Sequence, residues 1–101
     1  MAHRAKSSQV LHDRKVQQIA IRHLRVGHQV LVDLPGHRRP SAIDGYIPDI
    51  VVKDKGKITR IIEVETPATV RKDFAKNKVF SQEAKRLKAT FLRYVARPKA
   101  S

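Results

Sequence analysis

Three acidic residues, Asp49, Glu63 and Glu65, stand at spacings that suit metal-assisted chemistry. Glu63 and Glu65 lie in the stretch ITRIIEVE. Side chains alternate along a strand, so the two carboxylates share one face, roughly 7 Å apart, and Val64 points to the other. Asp49 opens the neighbouring stretch DIVVK directly after Pro48, across the polar turn Asp54-Lys55-Gly56-Lys57. Antiparallel pairing about that turn is expected to bring Asp49 beside Glu63. Carboxylates so placed repel one another and are stabilised by a shared hard cation, Mg²⁺ or Mn²⁺, which takes oxygen ligands and keeps water. Such an ion polarises a phosphodiester and lowers the pKa of a bound water. An isolated Glu-x-Glu also arises where a solvated strand face answers nearby lysines. Here Ile61, Ile62 and Val64 mark the strand as central, and a carboxylate in a central strand needs a partner or a task.

The rest of the chain is strongly basic. Its 101 residues carry a formal net charge of +13, and a surplus of that size is self-repelling unless a polyanion neutralises it. Residues 1–43 hold +6, residues 44–65 hold −1, and residues 66–101 hold +8, so an acidic centre sits between two basic arms. Nucleic acid is the expected partner. The loop PGHRRPSAIDGYIPD places His37, Arg38, Arg39 and Ser41 just ahead of Asp49, and Arg14 and Lys15 project from the first helix. Arginine suits bidentate phosphate contact, so these six are the candidate nucleic-acid contacts. The five histidines have no metal-ligand spacing, and all but His37 read as surface residues. Tyr46 and Tyr94 read as core or rim, because so few aromatics cannot form a stacking track.

The elements that position these residues follow from periodicity. Val16, Ile19, Ala20 and Leu24 recur at helical spacing from Val10 to about Val26, with Gly27 as the helix stop. His28 to Leu34 reads as a strand and residues 35–47 as an exposed loop. The stretches Asp49 to Lys53 and Ile58 to Glu65 form a hairpin. Thr66-Pro67 offers a cap with proline at the first helical position, predicting a helix to Leu87 that buries Phe74, Phe80, Ala84 and Leu87. Ala89 to Ala96 is a last strand. The expected fold class is α/β with an αβββαβ core: a flexible basic tail over residues 1–9, one domain over residues 10–96, and a tail over residues 97–101.

This order, with GYIPDIVV at 45–52 and IIEVE at 61–65, resembles the PD-(D/E)xK nuclease superfamily, also called restriction-endonuclease-like. In layout it is similar to the archaeal Holliday junction resolvases, over about residues 10–96. The resemblance implies that Asp49 and Glu63 are metal ligands, with the Val64 carbonyl a third. The family pattern calls for lysine where this chain has Glu65. That lysine orients the attacking water and stabilises developing charge, which a carboxylate cannot do. Lys72 and Lys76, one helical turn apart after the third strand, are the substitutes, with Lys53 next. Alternatively Glu65 adds a metal ligand, or the site only binds. The glutamate that many relatives carry on the first helix is missing; Asp13 or Gln17 stands nearest to it, and Gln82 echoes a helix-borne glutamine of some branches.

The expected function is therefore a Mg²⁺- or Mn²⁺-dependent DNA endonuclease acting on branched or structured DNA. The alternatives are a catalytically silent nuclease-like DNA-binding domain and a small basic RNA-binding or ribosome-associated protein. A homodimer is expected, because so small a domain grips little duplex alone. The chain has no cysteine, no apolar run long enough to span a bilayer, and no apolar stretch behind its basic N-terminus, so a cytoplasmic location is expected.

Overall fold

The computed structural model describes residues 6–98. It is a small α/β fold of two helices and a four-stranded mixed sheet, with elements in the order α1 (Lys6–Arg25), β1 (Gln29–Val32), β2 (Ile50–Asp54), β3 (Lys57–Glu65), α2 (Phe74–Leu87) and β4 (Thr90–Val95). The strands lie in the order β1-β2-β3-β4. The first three are antiparallel, and α2 carries the chain over the sheet so that β4 runs parallel to β3.

The sheet separates two apolar clusters because strand side chains alternate. Val32, Ile50, Val52, Ile62 and Val64 meet Val16, Ile19 and Ala20 of α1 on one face. Ile61 meets Phe80 and Ala84 of α2 on the other, with Ile43, Ile58 and Phe91 around them. The β2–β3 hairpin turns through Lys55 (φ 52) and Gly56 (φ 80). Two successive positive φ values match the right-handed twist of the flanking strands. The ladder shifts once, between Val52 and Lys53, and otherwise holds to Ile50↔Ile62, one step short of the acidic pair.

Both helices depart from their expected courses. α1 already runs from Lys6, so Lys6 to Gln9, read as tail, form its first turns, while residues 1–5 lie outside the described residues. Its buried stripe runs through His12, Val16, Ile19, Ala20 and His23, and Leu24 is left half exposed. His12 and His23 are therefore buried rather than surface residues. His23 stacks on His28 at 5.9 Å. Burial and the nearby Arg60 hold it below the ordinary histidine range.

The second helix starts at Phe74, eight residues after Thr66. The threonine hydroxyls cause the delay. Thr66 N–H donates to Thr69 Oγ1 (3.0 Å) and Thr69 Oγ1 to the Thr66 carbonyl (3.3 Å), side-chain bonds that compete with helix continuation. The backbone closes as tight turns on Thr66 and Thr69 and re-enters helix only after Asp73, whose ψ of 38° is not helical. Phe74, expected in the core, is 80% exposed as a result. At the other end Lys88 takes the left-handed conformation, and Ala89 N–H reaches back to the Ala84 carbonyl at 2.8 Å.

Phe80 is the largest side chain of the α2 cluster, with edge-on contacts to Tyr46 at 6.4 Å and Phe91 at 6.2 Å. Phe80→Ala is expected to lower the unfolding free energy by about 3–5 kcal/mol in urea denaturation. Phe74→Ala, one helical face away, is expected to change it by less than about 0.5 kcal/mol.

Candidate active site

Asp49 lies one residue before β2 and Glu63 near the end of β3, and the register that pairs Ile50 with Ile62 sets them side by side. They are interlocked. Asp49 N–H donates to Glu63 Oε1 at 2.8 Å, and Val64 N–H donates to Asp49 Oδ2 at 2.8 Å. Each carboxylate thus accepts a backbone donor from the other's strand, where the ladder itself ends. The remaining oxygens meet an ammonium and an imidazole: Lys76 Nζ lies 2.9 Å from Glu63 Oε2, and His12 Nε2 lies 3.2 Å from Asp49 Oδ1.

Two further acids join from the helices. Asp73 Oδ2 is 3.2 Å from Lys76 Nζ, so one ammonium bridges β3 and the start of α2. Asp13 Oδ1 is 2.9 Å from His12 Nδ1, so the imidazole lies between two carboxylates.

The energetics centre on Glu63, only 1% exposed. Burial and the neighbouring charge of Asp49 push its carboxyl up to about 7, with Lys76 and the Asp49 N–H pulling the other way. Burial alone would lower Lys76, but the carboxylates of Glu63 and Asp73 raise it above the usual lysine value. At neutral pH the ammonium is fixed in place while its partner is poised between charged and neutral.

Glu65 goes elsewhere. It is equally buried and on the same face, but Arg93 Nη2 of β4 meets its Oε2 at 2.8 Å and Asn77 Nδ2 meets its Oε1 at 2.8 Å. Arg93 also reaches the Val70 carbonyl at 3.3 Å. Glu65 therefore ties β3 to β4, α2 and the turn before α2.

Of the two candidate lysines, Lys76 stands at the acid pair. Lys72 is exposed in the turn before α2, not one helical turn away on the same helix. Lys53 sits at the far end of β2, paired with Gln29 and Ile58. The loop residues are brought close to the acid pair by their backbone. Asp33 N–H donates to the Asp49 carbonyl at 2.9 Å and Val32 N–H to the Arg38 carbonyl at 2.8 Å. His37 Nε2 meets Gln17 Oε1 of α1 at 2.9 Å, and Arg39 lies 3.7 Å from Asp33. Arg38 and Ser41 are exposed, as is Arg14 of α1. Lys15 lies 5.8 Å from the centre of the Tyr94 ring, so its charge is partly engaged.

The donors fit a hard divalent cation in kind. Val64 N–H faces Asp49, so its carbonyl shares that edge of β3 rather than facing β4. Two carboxylates and a carbonyl supply oxygen only and leave part of the shell to water, which Mg²⁺ tolerates. Among the described residues no cluster of three or more His, Cys, Asp or Glu side chains could hold a metal ion by itself.

Four residues at this site escaped the sequence reading: His12, Asp73, Asn77 and Arg93. His12 was detectable, since it stands four before Val16 on the same helical stripe. The other three depend on where α2 starts and on how β4 pairs. No protein-family model, curated protein or solved structure matches the chain. No helix among the described residues is long and apolar enough to cross a membrane.

Two outcomes are expected. Because the folded Glu63 carboxyl titrates near 7 and the unfolded one near 4.5, the folded state is stabilised at low pH and loses that contribution as pH rises through 7. Denaturation from pH 5 to pH 8 should therefore show Glu63→Gln gaining on wild type as pH rises, by up to about 3 kcal/mol. Arg93→Ala should cost about 2 kcal/mol, with the half-exposed arginine discounted for solvent, because it leaves Glu65 buried without its cation.

Proposed function

We propose that this protein is a divalent-metal-dependent DNA endonuclease of the PD-(D/E)xK kind, in which Lys76 of α2 takes the part of the lysine missing at position 65. The observation that carries the reading is the 2.9 Å contact between Lys76 Nζ and Glu63 Oε2, with Glu63 itself locked to Asp49. An acid pair with one fully buried member and one ammonium is a costly arrangement for a small domain unless it acts on something. In a chain of charge +13 the substrate it suits is a phosphodiester.

In this reading Asp49, Glu63 and the Val64 carbonyl hold Mg²⁺ or Mn²⁺. Bound there, the ion supplies positive charge beside the scissile phosphate and acidifies a water. Lys76 faces the charge that develops on the phosphoryl oxygens, and its raised pKa keeps it protonated for that task. His12, backed by Asp13, holds the Asp49 carboxylate in place. Arg38 and Arg39, carried on a loop tied to Asp49 through Asp33, grip flanking phosphates, and exposed Lys72 and Arg14 extend that surface. A second copy of the chain in a homodimer would double it.

A second reading has its own support: every carboxylate oxygen of Asp49 and Glu63 already meets a donor or cation of the protein. That suits a nuclease-like domain that binds DNA without cutting it. The deciding measurement is cleavage of labelled duplex, single-stranded and four-way-junction DNA, and of RNA, with Mg²⁺, with Mn²⁺ and with EDTA. Metal-dependent nicking is expected, abolished in Glu63→Ala and lowered about 100-fold or more in Lys76→Met with binding retained. Tight binding with no cleavage under either metal overturns the enzyme, and a preference for RNA points to the RNA-binding alternative.

A further inference from the structure

A pocket of about 290 Å³ lies between α1 and the end of β4, bounded by Arg14, Lys15 and Gln18 of the helix and by Val95 and Arg97 of the strand end. Three cations line it, and none of the chain's nine acids does. Among the described residues Arg14, Lys15 and Arg97 form no ion pair with a carboxylate, whereas Lys76, Arg86 and Arg93 each do. Lys15 lies 5.8 Å from the centre of the Tyr94 ring, which places its ammonium beside β4.

The strand adds a donor of its own. β4 is an edge of the sheet and pairs only with β3. Ala96 N–H turns to β3, where it donates to the Glu65 carbonyl at 2.7 Å. Amides alternate in direction along an extended chain, so Val95 N–H turns the other way, to the open edge that the pocket borders. Guanidinium, ammonium, carboxamide and edge amide around one cavity suit a tetrahedral oxyanion, whose several oxygens meet donors from several sides. A carboxylate offers two oxygens in one plane and a single charge, a poorer match to three cations. Neighbouring strands lie about 4.8 Å apart, so this edge is about 10 Å from β2, the strand that follows Asp49. One phosphate cannot touch both places.

We propose that this pocket binds one phosphate group, separate from any phosphate at the acid pair. The site needs neither metal nor hydrolysis. On the nucleic-acid reading above, the group is a backbone phosphate of a strand lying across β4. A small phosphate ester has the same chemistry, and the two sources separate experimentally.

The test follows backbone and side-chain amide shifts of the full chain by NMR, titrated with inorganic phosphate at fixed ionic strength. Saturable shifts are expected at Val95, Arg97 and the Gln18 carboxamide, with a Kd on the order of 1 mM. Acetate should give none. The double variant Lys15→Gln, Arg97→Gln is expected to weaken phosphate binding about 10-fold or more. Lys57→Gln with Lys85→Gln removes the same charge from exposed positions elsewhere and should weaken it less than about 2-fold. Shifts spread over the basic surface without saturation, an equal response to acetate, or an equal loss in both double variants overturns the pocket. Anisotropy of labelled oligothymidylate in EDTA then identifies the source. Weaker strand binding in the Lys15, Arg97 variant, with the salt slope reduced by about 0.7, places a backbone phosphate in the pocket. Unchanged strand binding beside lost phosphate binding supports the pocket and assigns it to a small phosphate ester. Wild-type protein that binds phosphate and no nucleic acid keeps the pocket and overturns the function proposed above.

Discussion

The crossed pair of hydrogen bonds that joins Asp49 to Glu63 and Val64 is the constraint on which the rest depends. The β2–β3 ladder stops at Ile50↔Ile62, and beyond it two carboxylates do what backbone carbonyls do elsewhere, each accepting an amide from the opposite strand. This satisfies donors that the end of a sheet would leave open. It also fixes two like charges at close range in a buried place. Everything around them answers that cost: Lys76 from one helix, His12 from the other, and Asp73 and Asp13 holding those two in turn.

The two glutamates of β3 show how placement divides chemically identical residues. Both are 1% exposed and both face α2. Glu65 has an arginine and an amide, one partner for each oxygen in good geometry, and they answer the cost of its burial. Glu63 has Asp49 beside it, so its ammonium does not fully offset burial and repulsion, and its affinity for a proton is raised. An acid whose surroundings leave it under-neutralised attracts further positive charge.

Much of this was legible in the sequence because it rests on short-range periodicity. The alternation in IIEVE set the face of both glutamates, and the turn at Lys55-Gly56 brought Asp49 to within one residue of Glu63, while the shift between Val52 and Lys53 that completes the match carries no local signal. Lys76 was legible only as one of several lysines. Separating it from Lys72 required the true start of α2, which two threonine hydroxyls move against the usual meaning of Thr-Pro. Arg93 and Asn77 were invisible for a different reason. Their meeting at Glu65 spans 28 and 12 positions and depends on a parallel crossover that no local pattern encodes.

The turn from Thr66 to Asp73 has a consequence for how the chain tolerates change. It is half exposed, around the buried Thr66 and Thr69, and lacks regular structure, the kind of segment in which added or lost residues are ordinarily absorbed. Here it sets the phase of a helix. Lys76, Asn77, Phe80 and Ala84 all look at the sheet because α2 begins where it does, and each residue of helix turns the next by about 100°. One residue more or fewer would swing the ammonium and the phenyl ring away together, so this surface segment acts as a spacer of fixed length.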